Sequence, residues 1–348
     1  MRIVYIALDP LRYSRINKIM YSLRKIAGVE FKVMIPRVRL PRREGKVWRM
    51  ILALLNYIAV IIQEFFVHAD LFWVANCPDV LVLPLILRRK RYILEYRSPW
   101  PIEVAQELGN GPWVYLASFF ERLALKHAWL ITLTTSKLLN RVKIYGKRTF
   151  VIPNYPLRSF GGHTIKGEDF RRLFGYDSSD KIVLFVGRLS RVEAADLLPK
   201  IVKKVIERDP SVVFWIVGDG PYYEKLKPLE QKYAKSVRLF GWQPHSRIPS
   251  FIEASDVCIA PRHKSAFSIF YNEEGLQKIS EYMFFEKPIV ACGIAKSNEY
   301  LLVDEDGVAD GILRALRGEA PRPKRRTWEE YSEKTIFEMF DLILSKKI

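Results

Sequence analysis

Cysteine is nearly absent: the 348 residues include only Cys77, Cys258 and Cys292. They are far apart, odd in number, set in apolar runs and without C-x-x-C spacing. That excludes a disulfide-stapled domain and a cysteine-held metal centre, and fits reduced core residues. No apolar run is long enough to cross a bilayer; the longest, Met50 to Ile62, is interrupted by Asn56. No secretory leader precedes the first apolar strand, because Met1 runs directly into Ile3 to Leu8, so a cytoplasmic location is expected. Repeats and low-complexity tracts are also missing, and a 49% hydrophobic composition excludes a disordered chain. Acidic residues are scarce in the first half. Residues 1–155 carry 25 Lys+Arg against 10 Asp+Glu, and the remainder 31 against 28, so nearly all of the net +18 lies early.

What is present is alternation. Apolar stretches such as Ile3 to Leu8, Phe31 to Ile35, Tyr92 to Tyr96, Ile182 to Val186 and Val212 to Val217 read as strands. Between them lie runs with apolar residues at helical spacing, for example Ile16, Ile19, Met20, Leu23 and Ile26. This alternation on both sides of a polar stretch predicts an α/β protein of two doubly wound, Rossmann-like domains facing a cleft. A chain of 348 residues suits two domains that each bury a core. The expected boundaries are 1–155 for a strongly basic first domain, 156–180 for a linker rich in Gly, Ser, Pro and charge, 181–325 for the second domain, and 326–348 for a closing helix.

The stretch from Tyr271 to Cys292 organises the second half. It predicts a loop, an amphipathic helix opened by Gly275, and the short strand Ile289 to Cys292 after Lys287-Pro288. A helix start offers unpaired N–H groups and the positive dipole end, a good seat for phosphate. Glu281 follows Glu273 by eight residues, a little over two turns, and so lies on roughly the same side. Two carboxylates so placed suit the hydroxyls of one elongated ligand, such as a sugar and a ribose flanking a diphosphate.

This Glu273-x7-Glu281 stretch resembles the signature of retaining glycosyltransferases of the GT-B fold, particularly family 4 (glycosyl transferases group 1). The resemblance extends, in order and at family spacing, through Val186-Gly187-Arg188-Leu189-Ser190, Ile216-Val217-Gly218-Asp219-Gly220-Pro221, Phe240-Gly241-Trp242 and Ala254-Ser255-Asp256-Val257. It implies a nucleotide-sugar donor on the second domain, with no metal and no cofactor. Glu273 would hold sugar hydroxyls, Glu281 ribose hydroxyls, and Arg188 beside Gly187 the diphosphate. Backbone N–H groups of Glu274, Gly275, Leu276 and Gln277 would assist, with the leaving group stabilised by positive charge and oriented dipoles. Trp242 either stacks near the base or packs in the core, and His245 reads as a helix-start polar residue. Arg262, His263 and Lys264 are within reach of the phosphates by their place before Glu273. The closing helix would cross back onto the first domain.

Two departures from the family pattern stand out. Relatives carry a lysine five residues after the arginine, where this chain has Glu193. A carboxylate there turns attraction into repulsion of about 4 kcal/mol at an effective dielectric of 20; Arg191, on the same loop, is expected to compensate. The first turn, Asp9 to Arg15, contains no glycine, whereas that turn is glycine-rich in many relatives.

In the first half, a basic loop (Arg37, Arg39, Arg42, Arg43, Lys46, Arg49) feeds an apolar helix over about 47–66, and Arg88 to Arg91 form a second basic run. The helix is either packed against other protein or lies at a membrane interface, its basic neighbours on lipid phosphates. Arg97, Ser98 and Trp100 follow a strand in a proline-rich turn and are acceptor-side candidates. Nucleic acid is a poor partner, because the aromatic residues fall on core periodicity rather than among basic ones. The expected function is sugar transfer to a lipid-linked or cell-envelope glycan acceptor, with the protein peripheral on the inner membrane face. The alternatives are a soluble enzyme acting on a small sugar or oligosaccharide, and an inactive GT-B-like binding protein.

Overall fold

The computed structural model describes residues 1–7, 14–34, 46–162 and 164–345, without the side chains of residues 14 and 46–53. The glycine-free first turn and the basic loop from Arg37 lie outside the described residues. The chain divides into two compact units, Met1–Pro153 with Tyr331–Ile348, and Asn154–Glu330.

The first unit carries β1 (Arg2–Ile6), β2 (Glu30–Met34), β3 (Leu71–Ala75), β4 (Tyr92–Tyr96), β5 (Leu130–Leu133) and β6 (Thr149–Val151) in a parallel sheet of order β2-β1-β3-β4-β5-β6. β3, β4 and β5 are buried along their whole length, the pattern of a parallel sheet covered on both faces. The chain's last helix, Lys334–Leu344, belongs to this unit, as expected of the closing helix. Its Phe340 ring lies 6.2 Å from that of Trp73 in β3, and at its start Glu333 pairs with Lys25 at 2.8 Å. Thr135 caps the helical turn after β5, its hydroxyl accepting the Lys137 amide.

The second unit repeats the plan with β7 (Lys181–Val186), β8 (Val212–Val217), β9 (Val237–Gly241), β10 (Val257–Ala260), β11 (Ile289–Ala291) and β12 (Leu301–Leu302), in the order β12-β11-β10-β7-β8-β9. Alternate residues of β7 serve opposite faces. Ile182 and Leu184 join Trp215, Phe251 and Met283, while Val183 and Phe185 join Val202, Ile216 and Ile312. The strand order reverses between β7 and β10. In doubly wound sheets the crevice outside the carboxyl ends of the strands at such a switch point is the usual ligand position.

The stretch 156–180 is not a free linker. It folds into the second unit, where its short helix Gly167–Arg172 buries Phe170 against Trp215 and Phe251. Arg171 donates to the Ala254 carbonyl at 2.7 Å and to Asp256 at 2.8 Å. Composition suggested a linker because polar residues dominate, but two residues of the right kind suffice to anchor it.

Candidate functional site

The predicted site residues converge at the switch point of the second sheet. The loop leaving β7 presents Gly187 and Arg188, the loop leaving β10 presents Arg262 and His263, and the helix Gln277–Phe284 begins beside them. The Tyr282 hydroxyl accepts the Val186 amide at 2.9 Å, which ties that helix to the end of β7. Gly218, at φ 139°, is so close to the β7 loop that a Cβ on it would lie 1.8 Å from the Gly187 carbonyl oxygen. Glycine there is a steric requirement rather than a flexibility device.

Glu273 lies at the end of the loop before this helix. It is 8% exposed, and its Oε2 is buried without a hydrogen-bond partner among the described residues. Burial raises its pKa, the adjacent Glu274 adds to this, and the Ser297 hydroxyl and Arg326 oppose it. A buried carboxylate oxygen left unpaired is costly to a fold and marks a group held ready for a ligand. Glu281, one turn into that helix, is also buried but engaged: its Oε1 meets His245 Nε2 at 2.7 Å and accepts from Gln277 Nε2 at 2.6 Å. His245 opens a short helical turn, as its sequence position suggested, yet it also contacts Glu281, with its ring 5.3 Å from that of Phe160. That contact was invisible in sequence, because 36 residues separate the two.

The helix starts at Gln277, two residues later than Gly275 suggested. The Gly275 and Leu276 amides are already bonded to the Asn272 carbonyl at 3.2 and 2.9 Å, so these two expected donors shape the turn itself. Glu274 is tied through its carbonyl to the Asn154 amide at 2.7 Å. Arg188 is exposed, with no ion pair among the described residues. Trp242 is 71% exposed, which removes the core reading and leaves an indole available for stacking.

The balance of charge differs from expectation. Glu193 does not meet Arg191, which is exposed and forms no ion pair among the described residues. Instead Glu193 Oε1 accepts from Arg262 Nη1, and Oε2 from Lys278 Nζ. Burial pulls the Glu193 pKa up, but these two cations overcome that and hold it below the ordinary carboxylate range. The missing charge is thus supplied from the β10 loop and the helix rather than from Glu193's own loop. His263 turns away, bonding Asp196 and Glu305, each at 2.9 Å, and Lys264 is exposed.

In the first unit Arg97 donates to the Tyr5 hydroxyl at 2.7 Å and lies 3.5 Å from Glu95, while the Ser98 hydroxyl donates to Glu103. Trp100 opens the helix Trp100–Leu108. All three sit just past the carboxyl end of β4, the edge where ligands bind such sheets.

Comparison with known proteins places this geometry. Residues 180–318 match the family model described as glycosyl transferases group 1. The GPI3 subunit of the phosphatidylinositol N-acetylglucosaminyltransferase of Saccharomyces cerevisiae is 30% identical over 126 residues, 34% of this chain and 26% of that protein. The aligned segment therefore spans only about a quarter of that relative's length. Among solved structures, sucrose-phosphate synthase from Thermosynechococcus elongatus superposes with a TM-score of 0.71 at 15% identity over 99% of both chains. HepE of Anabaena, solved in complex with UDP and glucose, gives 0.64 at 14% identity over 99% of both chains. Structural likeness at such identities establishes the fold alone. The chain has the GT-B fold, and residues 180–318 match the model of glycosyl transferases group 1.

Proposed function

We propose that the protein is a glycosyltransferase that moves a sugar from a nucleotide-sugar donor to an acceptor with retention of anomeric configuration. The observation that carries this reading is Glu273: a buried carboxylate with one oxygen unpartnered among the described residues, in the turn that leads into the helix carrying Glu281. On this reading Glu273 takes hydroxyls of the donor sugar and Glu281, oriented by His245 and Gln277, takes those of the ribose. Arg188 binds the diphosphate and stabilises the leaving group. Trp242 covers the base. The group 1 match over this unit and the UDP-bound neighbour support a nucleoside diphosphate as the carrier.

The acceptor we propose is lipid-linked or part of a cell-envelope glycan, met at a membrane surface. The helix Lys46–Phe66 favours this, because its amphipathicity is inverted. Asn56, Val60 and Glu64 face inward, and Leu54, Leu55, Ile58, Ile62, Phe65 and Phe66 are exposed. Arg88 bonds the Glu64 carbonyl, which ties the Arg88 to Arg91 run to the end of this helix. Trp113, Tyr115, Leu116 and Phe119 expose a second apolar face on the helix Pro112–His127. Apolar side chains edged by basic ones suit an anionic lipid interface. Among the described residues no helix is long and apolar enough to cross a membrane.

The test is a panel of UDP-, GDP-, ADP- and CDP-sugars, read by thermal shift and nucleotide release, with Glu273→Ala as control. Stabilisation or release by one donor, lost in the control, is expected. Silence across the panel from folded protein would remove the donor reading. The anomeric configuration of the product, by NMR, tests retention, and co-sedimentation with anionic against neutral vesicles tests the membrane reading.

A further inference from the structure

We infer that Lys278, held in place by Glu193, is a phosphate-binding cation of this protein, contacting the diphosphate class of ligand from the helix Gln277–Phe284. The inference deepens the donor reading above and rests on it for the identity of the ligand, though not for the existence of the anion site.

Three side chains from three separate segments meet here. Lys278, Glu193 and Arg262 are 13%, 16% and 10% exposed, and Glu193 spends one oxygen on each cation. Within the triad, two cations on one carboxylate leave one positive charge in excess in a poorly solvated place, with the Glu281 carboxylate also acting on Lys278. A buried ion pair is a weak source of stability even when balanced, so an unbalanced triad is not explained by stability. An anionic ligand would complete it.

The position agrees. Glu193 belongs to the segment after β7, Arg262 directly follows β10, and those are the two strands between which the order reverses. Lys278 lies in the first turn of the helix, so its ammonium adds to the positive end of the dipole. The ammonium lies 4.8 Å from the centroid of Phe185, and a Cβ on Gly187 would come within 2.9 Å of Nζ. It therefore reaches the backbone next to the exposed Arg188. Arg262 is itself fixed over the Tyr271 ring at 4.4 Å. Glu193 is a positioning residue in this arrangement: with both oxygens engaged, it aims the two cations instead of repelling a phosphate.

Titration calorimetry on the full chain tests this, using UDP, GDP, ADP and CDP, the corresponding nucleosides, and pyrophosphate. The proteins are the wild type, Lys278→Met, and the double variant Glu193→Gln/Lys278→Met. The double variant removes both ends of one ion pair, keeps the net charge of the wild type, and leaves no orphaned carboxylate. We expect the best nucleoside diphosphate and pyrophosphate to bind about tenfold or more weakly to Lys278→Met, with nucleoside affinity unchanged. The double variant should stay equally weak, and it carries the test alone if the single variant does not fold. Recovery of wild-type affinity in the double variant would show that Lys278 only neutralises Glu193, and would overturn the proposal. So would undiminished diphosphate affinity in a folded Lys278→Met, or a wild type that binds neither nucleoside diphosphate nor pyrophosphate. Lys278-dependent pyrophosphate binding without any nucleotide binding would keep the anion site and reject the donor reading.

Discussion

Replacing Glu273 with glutamine separates function from stability. The glutamate is 8% exposed, its Oε2 has no hydrogen-bond partner among the described residues, and burial raises its pKa. Leaving a buried polar group unpaired costs about 1–3 kcal/mol, more when it is charged. Glutamine keeps the shape and removes the charge, so Glu273→Gln is expected to stabilise the fold by about 1 kcal/mol, or roughly 2–4 °C in a unit of this size. The sign fixes the pH dependence. A carboxylate whose folded pKa is raised binds its proton more tightly in the folded state, so it weakens the fold as pH rises through and above the ordinary carboxylate range. The gain should therefore be present at pH 7 and fade as pH falls below about 4. Turnover of the nucleotide sugar should drop about a hundredfold or more, because a neutral amide cannot anchor donor hydroxyls through charge-assisted hydrogen bonds. Thermal melts at pH 7 and pH 4 and nucleotide-release assays read these outcomes. A variant that melts several degrees lower at pH 7 would refute the idea of a carboxylate held at a cost for function, and unchanged turnover would refute its role.

Other residues make sharper structural claims. Gly218→Ala places a Cβ 1.8 Å from the Gly187 carbonyl at a φ of 139°, so the β7 and β8 loops must part. A destabilisation of about 2–4 kcal/mol is expected in denaturant melts, with loss of nucleotide binding. For His263, burial alone would lower the pKa, but hydrogen bonds to Asp196 and Glu305 and their charges leave it raised. Its contribution is complete below the unfolded value near 6.5 and disappears as pH climbs through the higher folded value. His263→Gln should thus cost about 1 kcal/mol at pH 6 and nothing measurable at pH 9, as urea melts at the two pH values would reveal. Leu55→Ser/Ile58→Ser changes two exposed residues, so stability should move by no more than about 0.5 kcal/mol. Binding to anionic vesicles should fall about tenfold if that stripe enters lipid, and equal binding would argue for another face.

Local pattern in the sequence determined a great deal. Strand and helix follow from periods of two and 3.6, which are read over a few residues, and so the two doubly wound sheets were legible apart from the two-residue β12. Glu273 and Glu281 were legible because both belong to one short stretch, but the expected helical spacing was not met: Glu273 lies in the turn before the helix and only Glu281 within it. The segment 156–180 was misread because composition reports polarity but not the anchoring of Phe170 and Arg171 in a core built by distant strands. Tertiary structure alone decided the charge balance around Glu193. Glu193 is 69 residues from Arg262 and 85 from Lys278, and in a linear reading it only departs from the family pattern. It acquires its partners because the strand order reverses at β7 and β10, bringing their loops and the following helix to one place. Likewise the sequence showed that the helix Lys46–Phe66 is apolar, but only packing revealed that Asn56 and Glu64 face inward and Leu54, Leu55, Ile58 and Ile62 outward. Periodicity specifies which residues share a face, and the fold specifies what that face meets.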